Sequence, residues 1–146
     1  MNGPDFLAIP CDQDDIDLVL KHVVNLFKRS NSLTILDDCA RGREIKYRTS
    51  EVVRLGFSDR HYGLSTIVIT QKFTLVAKPY RENISKLVMF YTADRNDVKA
   101  IVDDYHNCAS KAETARITKL LKDHKYARLG INLRHPYGHS VFIPQD

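Results

Sequence analysis

No G-x-x-x-x-G-K-[ST] loop, the pattern whose backbone amides cradle nucleotide phosphates, occurs among the 146 residues. Long apolar runs are missing too. The longest, such as Leu87 to Tyr91, fall far short of the ~20 residues that cross a bilayer, so no membrane span is expected. Met1 to Pro10 has no basic stretch followed by an apolar run, which removes the pattern of a secretory signal and makes an intracellular protein, cytoplasmic or nuclear, the expectation. Cysteine is scarce: Cys11, Cys39 and Cys108 are odd in number and far apart, which fits reduced thiols, as small core residues, better than a disulfide framework. Hydrophobic residues at 43% and charged residues at 27% lie close to globular averages and exclude a disordered or fibrous chain. The length suits one domain with a real core, and the formal charge of +4 permits contact with nucleic acid without demanding it.

What is present reads as alternating helix and strand. Asp5 to Ile9 is a short apolar run that suits a strand. From Asp14 or Asp15 to Arg29, Ile16, Leu18, Val19, Leu20, Val23, Val24, Leu26 and Phe27 recur at helical spacing, with acids first and Lys28-Arg29 last, matching the helix dipole. Ser30-Asn31-Ser32 breaks that pattern. Leu33 to Leu36 then runs without polar alternation, as in a strand of a parallel sheet buried on both faces. Arg43 to Phe57 reads as a helix with Ile45, Val52, Val53 and Leu55 inward, closed by Gly56 or by Ser58-Asp59, and a polar loop is expected after it. Leu64 to Thr70, rich in β-branched residues, is a second buried strand and Leu87 to Tyr91 a third. Between them Pro79 keeps any helix from starting earlier. Asp94 to Tyr105 and Lys111 to His124 have helical composition. Ala127 to Leu133 and His139 to Ile143 alternate, and Pro136-Tyr137-Gly138 makes a turn, which predicts a terminal hairpin.

Strand, helix, strand, connection, strand and helix in that order predict a three-layer α/β domain with an inner parallel sheet. In such sheets chemistry collects at the carboxyl ends of the strands, where Asp37, Asp38 and Gln71 stand. Four apolar residues followed by two acids, Leu33-Thr34-Ile35-Leu36-Asp37-Asp38, form a Walker B candidate. Asp37, held at depth by the strand, needs a partner or a cation, and Mg2+ accepts one or two carboxylates plus waters. Asp38 then points to the γ-phosphate, where it orients or deprotonates a water. The plainer alternative is a pair of acids that ends a strand and caps the next turn. Gln71 offers an amide able to contact both water and phosphate, or is an ordinary polar strand end. Arg60 and Arg81 are either charge-stabilising fingers toward a neighbouring subunit or surface ion-pair partners. His135 and His139 are four apart, but Pro136 and Gly138 between them rule out helical geometry, so no zinc site is expected there. His106 and Cys108 are neighbours only in sequence, and no nucleophilic pair is read from them. Basic residues between Lys111 and Arg128 suit either a DNA-facing or a solvated surface.

The segments Leu33-Thr34-Ile35-Leu36-Asp37-Asp38, Arg60-His61-Tyr62-Gly63-Leu64-Ser65, Ile69-Thr70-Gln71 and Arg81-Glu82-Asn83-Ile84 together resemble the packaging ATPases of large DNA viruses. The nearest likeness is to the poxvirus-type packaging ATPase carried by Maverick (Polinton) transposons, within the FtsK/HerA group of P-loop ATPases. It covers roughly Leu33 to Asp104 and extends more weakly over Leu133 to Tyr137. The resemblance implies a P-loop, RecA/FtsK-type parallel sheet, incomplete at its amino end, in one partial ATPase domain over residues 1–146. It also implies that Asp37 is the Mg2+-associated acid, Asp38 the catalytic carboxylate, Gln71 the sensor, and Arg60 and Arg81 motif arginines. ATP, Mg2+, duplex DNA and further copies in a ring are the implied partners. Because the family's phosphate loop is not among these residues, the expectation is a truncated packaging ATPase that does not hydrolyse ATP alone. The alternatives are an ATPase completed in trans by a chain that supplies the loop, and a catalytically inactive DNA-binding or oligomerisation module.

Overall fold

The computed structural model describes residues 8–10, 12–38, 50–105, 110–134 and 137–144, with the side chains of residues 13 and 58–60 outside that description. All three cysteines, His106, His135, Pro136 and the Arg43 to Arg48 part of the second expected helix lie outside the described residues, as does most of the strand expected before Ile9. The chain divides into two units, Met1–Thr70 and Gln71–Asp146.

In the first unit a short 3-10 turn over Gln13–Asp15 leads into α1, Ile16–Phe27, where the apolar spacing placed it. Ile16 and Leu20 are its buried residues, whereas Leu18 and Leu26, equally apolar, face outward. Strand β1, Ser32–Asp37, follows, then α2, Glu51–Tyr62, and β2, Leu64–Ile69. Ser50 starts α2 by accepting from the Val53 amide at 3.3 Å, and Asp17 of α1 accepts from the Glu51 amide at 2.9 Å. Two orphan donors at the helix start are thereby satisfied. Helix α2 does not stop at Gly56 or Ser58-Asp59; it runs to Tyr62 and ends at Gly63, whose φ of 66° is the left-handed cap that glycine adopts without strain. Arg60 and His61, expected in a loop, therefore lie in the last turn of a helix.

β1 and β2 pair in parallel, from Ser32 opposite Leu64 to Asp37 opposite Ile69. The register is set where the strands begin. Arg29 N–H donates to the Tyr62 carbonyl and Ser32 N–H to the Gly63 carbonyl, which ties together the turns that launch both strands. Helix α2 packs on β2 and on α1, and Leu36, Val52, Val53, Leu55 and Leu64 are buried. Each such side chain contributes about 1.5–3 kcal/mol by leaving water.

The second unit opens with a 3-10 turn, Phe73–Leu75, then α3, Lys78–Arg81, with Pro79 in its first turn where a missing N–H costs nothing. β3, Lys86–Phe90, α4, Arg95–Tyr105, α5, Lys111–Asp123, β4, Arg128–Asn132, and β5, Gly138–Phe142, complete it. Ser110 caps α5 by accepting from the Glu113 amide at 3.2 Å. The terminal hairpin is present, with β4 and β5 antiparallel. The third strand differs from expectation: among the described residues β3 pairs antiparallel with β4, in a three-stranded sheet ordered β3-β4-β5, and not with the parallel pair. An apolar run of five residues does not encode strand direction, which the partner decides. Phe73, Ile101, Ile117, Leu121, Ala127, Leu129 and Ile131 form the core of this unit, with Leu87, Met89 and Val141 packed against it from the sheet.

Candidate functional site

The parallel register places Asp37 at the carboxyl end of β1, level with Ile69 at the end of β2. Asp38 then leaves the strand with φ 50°, a left-handed conformation that Asp tolerates better than most residues. Its amide donates to the Ile69 carbonyl at 3.2 Å, so the turn that presents the second acid is tied to the neighbouring strand. Two consecutive carboxylates are thus fixed at one edge of a parallel sheet.

Their depth is not what the sequence predicts. Asp37 and Asp38 are both exposed. Side chains alternate along a strand, and Asp37 shares a face with Leu33 and Ile35, which are 55% and 52% exposed. In β2 the matching residues Ile67 and Ile69 are 47% and 50% exposed. Leu36 and Leu64 lie on the opposite, covered face. The uninterrupted apolar run therefore reflects one covered face and one open apolar face among the described residues, not burial on both.

Gln71 is exposed and opens the second unit, two residues past the Ile69 that is level with Asp37. The segment after it is held by Asp97 of α4, which is 2% exposed. Its Oδ2 accepts from the Phe73 amide at 3.3 Å, while Oδ1 accepts from the Thr74 amide at 2.9 Å and the Thr74 hydroxyl at 2.7 Å. Asp97 thus acts as the cap of the 3-10 turn from another element. Its position in the first turn of α4 offers the sequence only a helix-dipole reading, so this role could not be found there.

Arg81 is not an outward finger in this structure. Its side chain is 13% exposed, its Nη1 donates to Asp104 Oδ2 at 2.6 Å, and its guanidinium lies 4.8 Å from the centroid of the Phe73 ring. Tyr105 donates its hydroxyl proton to the Arg81 carbonyl and meets Phe73 edge-on with ring centroids 5.8 Å apart. Burial, and secondarily the Asp104 charge, pushes the Tyr105 phenol far above its ordinary value. Arg81 is the clamp that joins α3 to α4. Arg60 has its backbone in α2 and its side chain outside the described residues.

His139 lies 3.4 Å from Glu113 as a potential ion pair. Among the described residues no group of three or more His, Cys, Asp and Glu is placed to hold a metal, and no helix is long and apolar enough to cross a membrane. Two surface cavities, about 450 and 760 Å³, are lined by residues of the second unit and include neither Asp37 nor Asp38.

No protein-family model matches the chain, and no curated protein does. Solved structures do. The genome-packaging NTPase B204 of Sulfolobus turreted icosahedral virus 2, in complex with AMPPCP, superposes with a TM-score of 0.65 at 19% identity, over 93% of this chain and 72% of that one. B204 of Sulfolobus turreted icosahedral virus, described as a DNA-packaging ATPase, gives 0.68 at 19% identity, over 92% of this chain and 65% of that one. The complex of the former with AMP gives 0.66 at 16% identity. This chain therefore spans between 65% and 72% of the first two structures, and the likeness is one of fold, which in this chain combines helices with a small parallel sheet and an antiparallel sheet.

Proposed function

We propose that this chain is the acid-bearing part of a DNA-packaging or DNA-translocating ATPase of the poxvirus and Maverick (Polinton) type, and that it does not hydrolyse ATP by itself. The observation that carries the reading is the parallel, in-register pairing of β1 with β2, which sets Asp37 and Asp38 at the carboxyl edge of the sheet. The fold likeness to viral packaging NTPases supports it. In this reading residues 1–146 are one partial P-loop domain whose full form is a three-layer sheet, and its partners are ATP, duplex DNA and further copies in a ring.

The chemistry of Asp37 fits Mg2+, because an exposed carboxylate on a strand end offers hard oxygen. Asp37 would hold the ion, which when bound would supply neutralising charge for phosphates. Asp38, turned by its left-handed backbone, orients or deprotonates the attacking water, and the Gln71 amide contacts water and phosphate. Arg60 is the remaining motif arginine for charge stabilisation, while Arg81 acts through the clamp described above. Residues 1–146 contain no G-x-x-x-x-G-K-[ST] segment to hold the phosphates, so in this reading that loop comes from outside them.

One observation supports supply of that loop from outside residues 1–146. Leu33, Ile35, Ile67 and Ile69 present an open apolar face beside the acids, a surface suited to burial against further polypeptide, in another chain or in the same one. The test is phosphate release by the purified chain alone and after addition of a polypeptide carrying a strand and the phosphate loop. Turnover is expected only in the mixture and is expected to vanish in Asp38→Asn. Hydrolysis by the chain alone, or turnover that survives Asp38→Asn, would overturn the assignment.

A further inference from the structure

The antiparallel sheet of the second unit has one face in the core and one in water. Leu87, Met89, Leu129, Ile131 and Val141 point to the core. In register and alternation, the opposite face carries Lys86, Val88 and Phe90 from β3, Arg128 and Gly130 from β4, and Phe142 from β5. Val88, Phe90 and Phe142 are 58%, 54% and 49% exposed. No carboxylate occupies any paired position on this face.

Arg128 stands between the two phenylalanines in the cross-strand row, and its guanidinium lies 4.0 Å from the centroid of the Phe142 ring. That contact sets a cation over an aromatic face, and the guanidinium itself brings a planar surface and several N–H donors. Next along the sheet is the Val88–Gly130–Ser140 row, where Gly130 has no side chain to rise above the backbone. A tall aromatic and cationic row therefore borders a low one. Just ahead of β4, Lys125 lies 4.9 Å from the centroid of the Tyr126 ring, a second cation and aromatic pair.

We propose that the open face of the β3-β4-β5 sheet binds single-stranded nucleic acid, with bases stacked on Phe90 and on the Arg128–Phe142 pair and phosphates held by Lys86 and Arg128. Stacking needs unpaired bases with a free π face, which a duplex does not offer, and two cations with no carboxylate at the paired positions match a phosphate backbone. This binding uses neither nucleotide triphosphate nor Asp37, so it goes beyond the proposed ATPase reading and does not rest on it.

The experiment is fluorescence anisotropy of the full chain with fluorescein-labelled dT15 and with its duplex on dA15, in 50 mM and 200 mM NaCl. The single strand is expected to bind at least tenfold tighter than the duplex. Phe90→Ala and Phe142→Ala are each expected to weaken it by about fivefold or more, the lower end of one base stack lost. Two phosphate contacts give a salt slope of about −1.4, or about a sevenfold loss between the two salt concentrations. Arg128→Lys keeps the charge and removes the planar stack, so it should weaken binding with little change in the salt slope. Circular dichroism and melting confirm that each variant is folded. No binding at 50 mM salt, equal affinity for the duplex, or indifference to both phenylalanine substitutions overturns the proposal. So does self-association in sedimentation that Phe90→Ala abolishes and dT15 does not displace, because a second copy would then be the occupant.

Discussion

Replacing Asp97 should loosen the segment that follows Gln71 before it disturbs anything else. Asp97 is 2% exposed and receives three hydrogen bonds, from the Phe73 amide, the Thr74 amide and the Thr74 hydroxyl. Hydrogen bonds to a charged acceptor contribute about 1.5–3 kcal/mol each, but they do not add, and Thr74 is exposed enough for water to replace part of its loss. Phe73 is in the core, and its amide would remain without an acceptor. Asp97→Ala should therefore cost about 3 kcal/mol, which for a chain of this size lowers the melting temperature by about 10 °C. Asp97→Asn separates charge from geometry. Its carbonyl oxygen can keep both bonds to Thr74, at 2.9 and 2.7 Å, and only the longer 3.3 Å bond from Phe73 is lost, so about 1 kcal/mol is expected. Urea melts measure both values, and amide hydrogen exchange should show Phe73 and Thr74 losing protection in Asp97→Ala ahead of the α4 and α5 amides. Equal costs for the two substitutions, or an Asp97→Ala effect within the roughly 0.5 kcal/mol typical of surface changes, would refute the capping role.

Three further outcomes follow from the same geometry. Gly63→Ala places a Cβ where φ is 66° and 3.3 Å from Asn31 Oδ1, so a loss of about 1–2 kcal/mol in a urea melt is expected; a neutral result would show that the turn relaxes freely. Tyr105 has its phenol pKa raised by burial, so its contribution is fully present below the unfolded value of about 10 and is lost as pH rises beyond it toward the folded value. Tyr105→Phe should flatten the fall in stability above about pH 10, and an unchanged slope would place the alkaline sensitivity elsewhere. Ile35→Lys and Ile67→Lys alter residues 52% and 47% exposed, so each should change stability by less than about 0.5 kcal/mol, and a loss above about 2 kcal/mol would mean that this face is covered in the isolated chain.

Periodicity made the helices legible: α1, α4 and α5 lie where apolar spacing and end charges put them, because a helix reports its own repeat. The end of α2 is not legible because Gly56 and Gly63 look alike in sequence, and only Gly63 stands where the chain must turn left-handed to align β2 with β1. Strand positions were legible and strand partners were not. Leu87 to Tyr91 resembles Leu33 to Leu36 in composition, yet one strand pairs antiparallel and the other parallel. The acid pair was visible as a motif, while its exposure was not, since Leu33 and Ile35 carry the apolar character of covered residues without the cover. The capping role of Asp97 has no local signature because its partners are 23 and 24 residues away. The two sheets share a feature that sequence alone conflates with burial: each has a covered face and an open one that remains rich in large apolar side chains. On the parallel sheet that open face adjoins two carboxylates, and on the antiparallel sheet it is interleaved with Lys86 and Arg128 and free of acids. Apolar surface kept in water costs about 25 cal/mol per Å², so each face would gain by being covered, and the polar groups set among the exposed residues differ in sign, carboxylates at the first face and cations at the second.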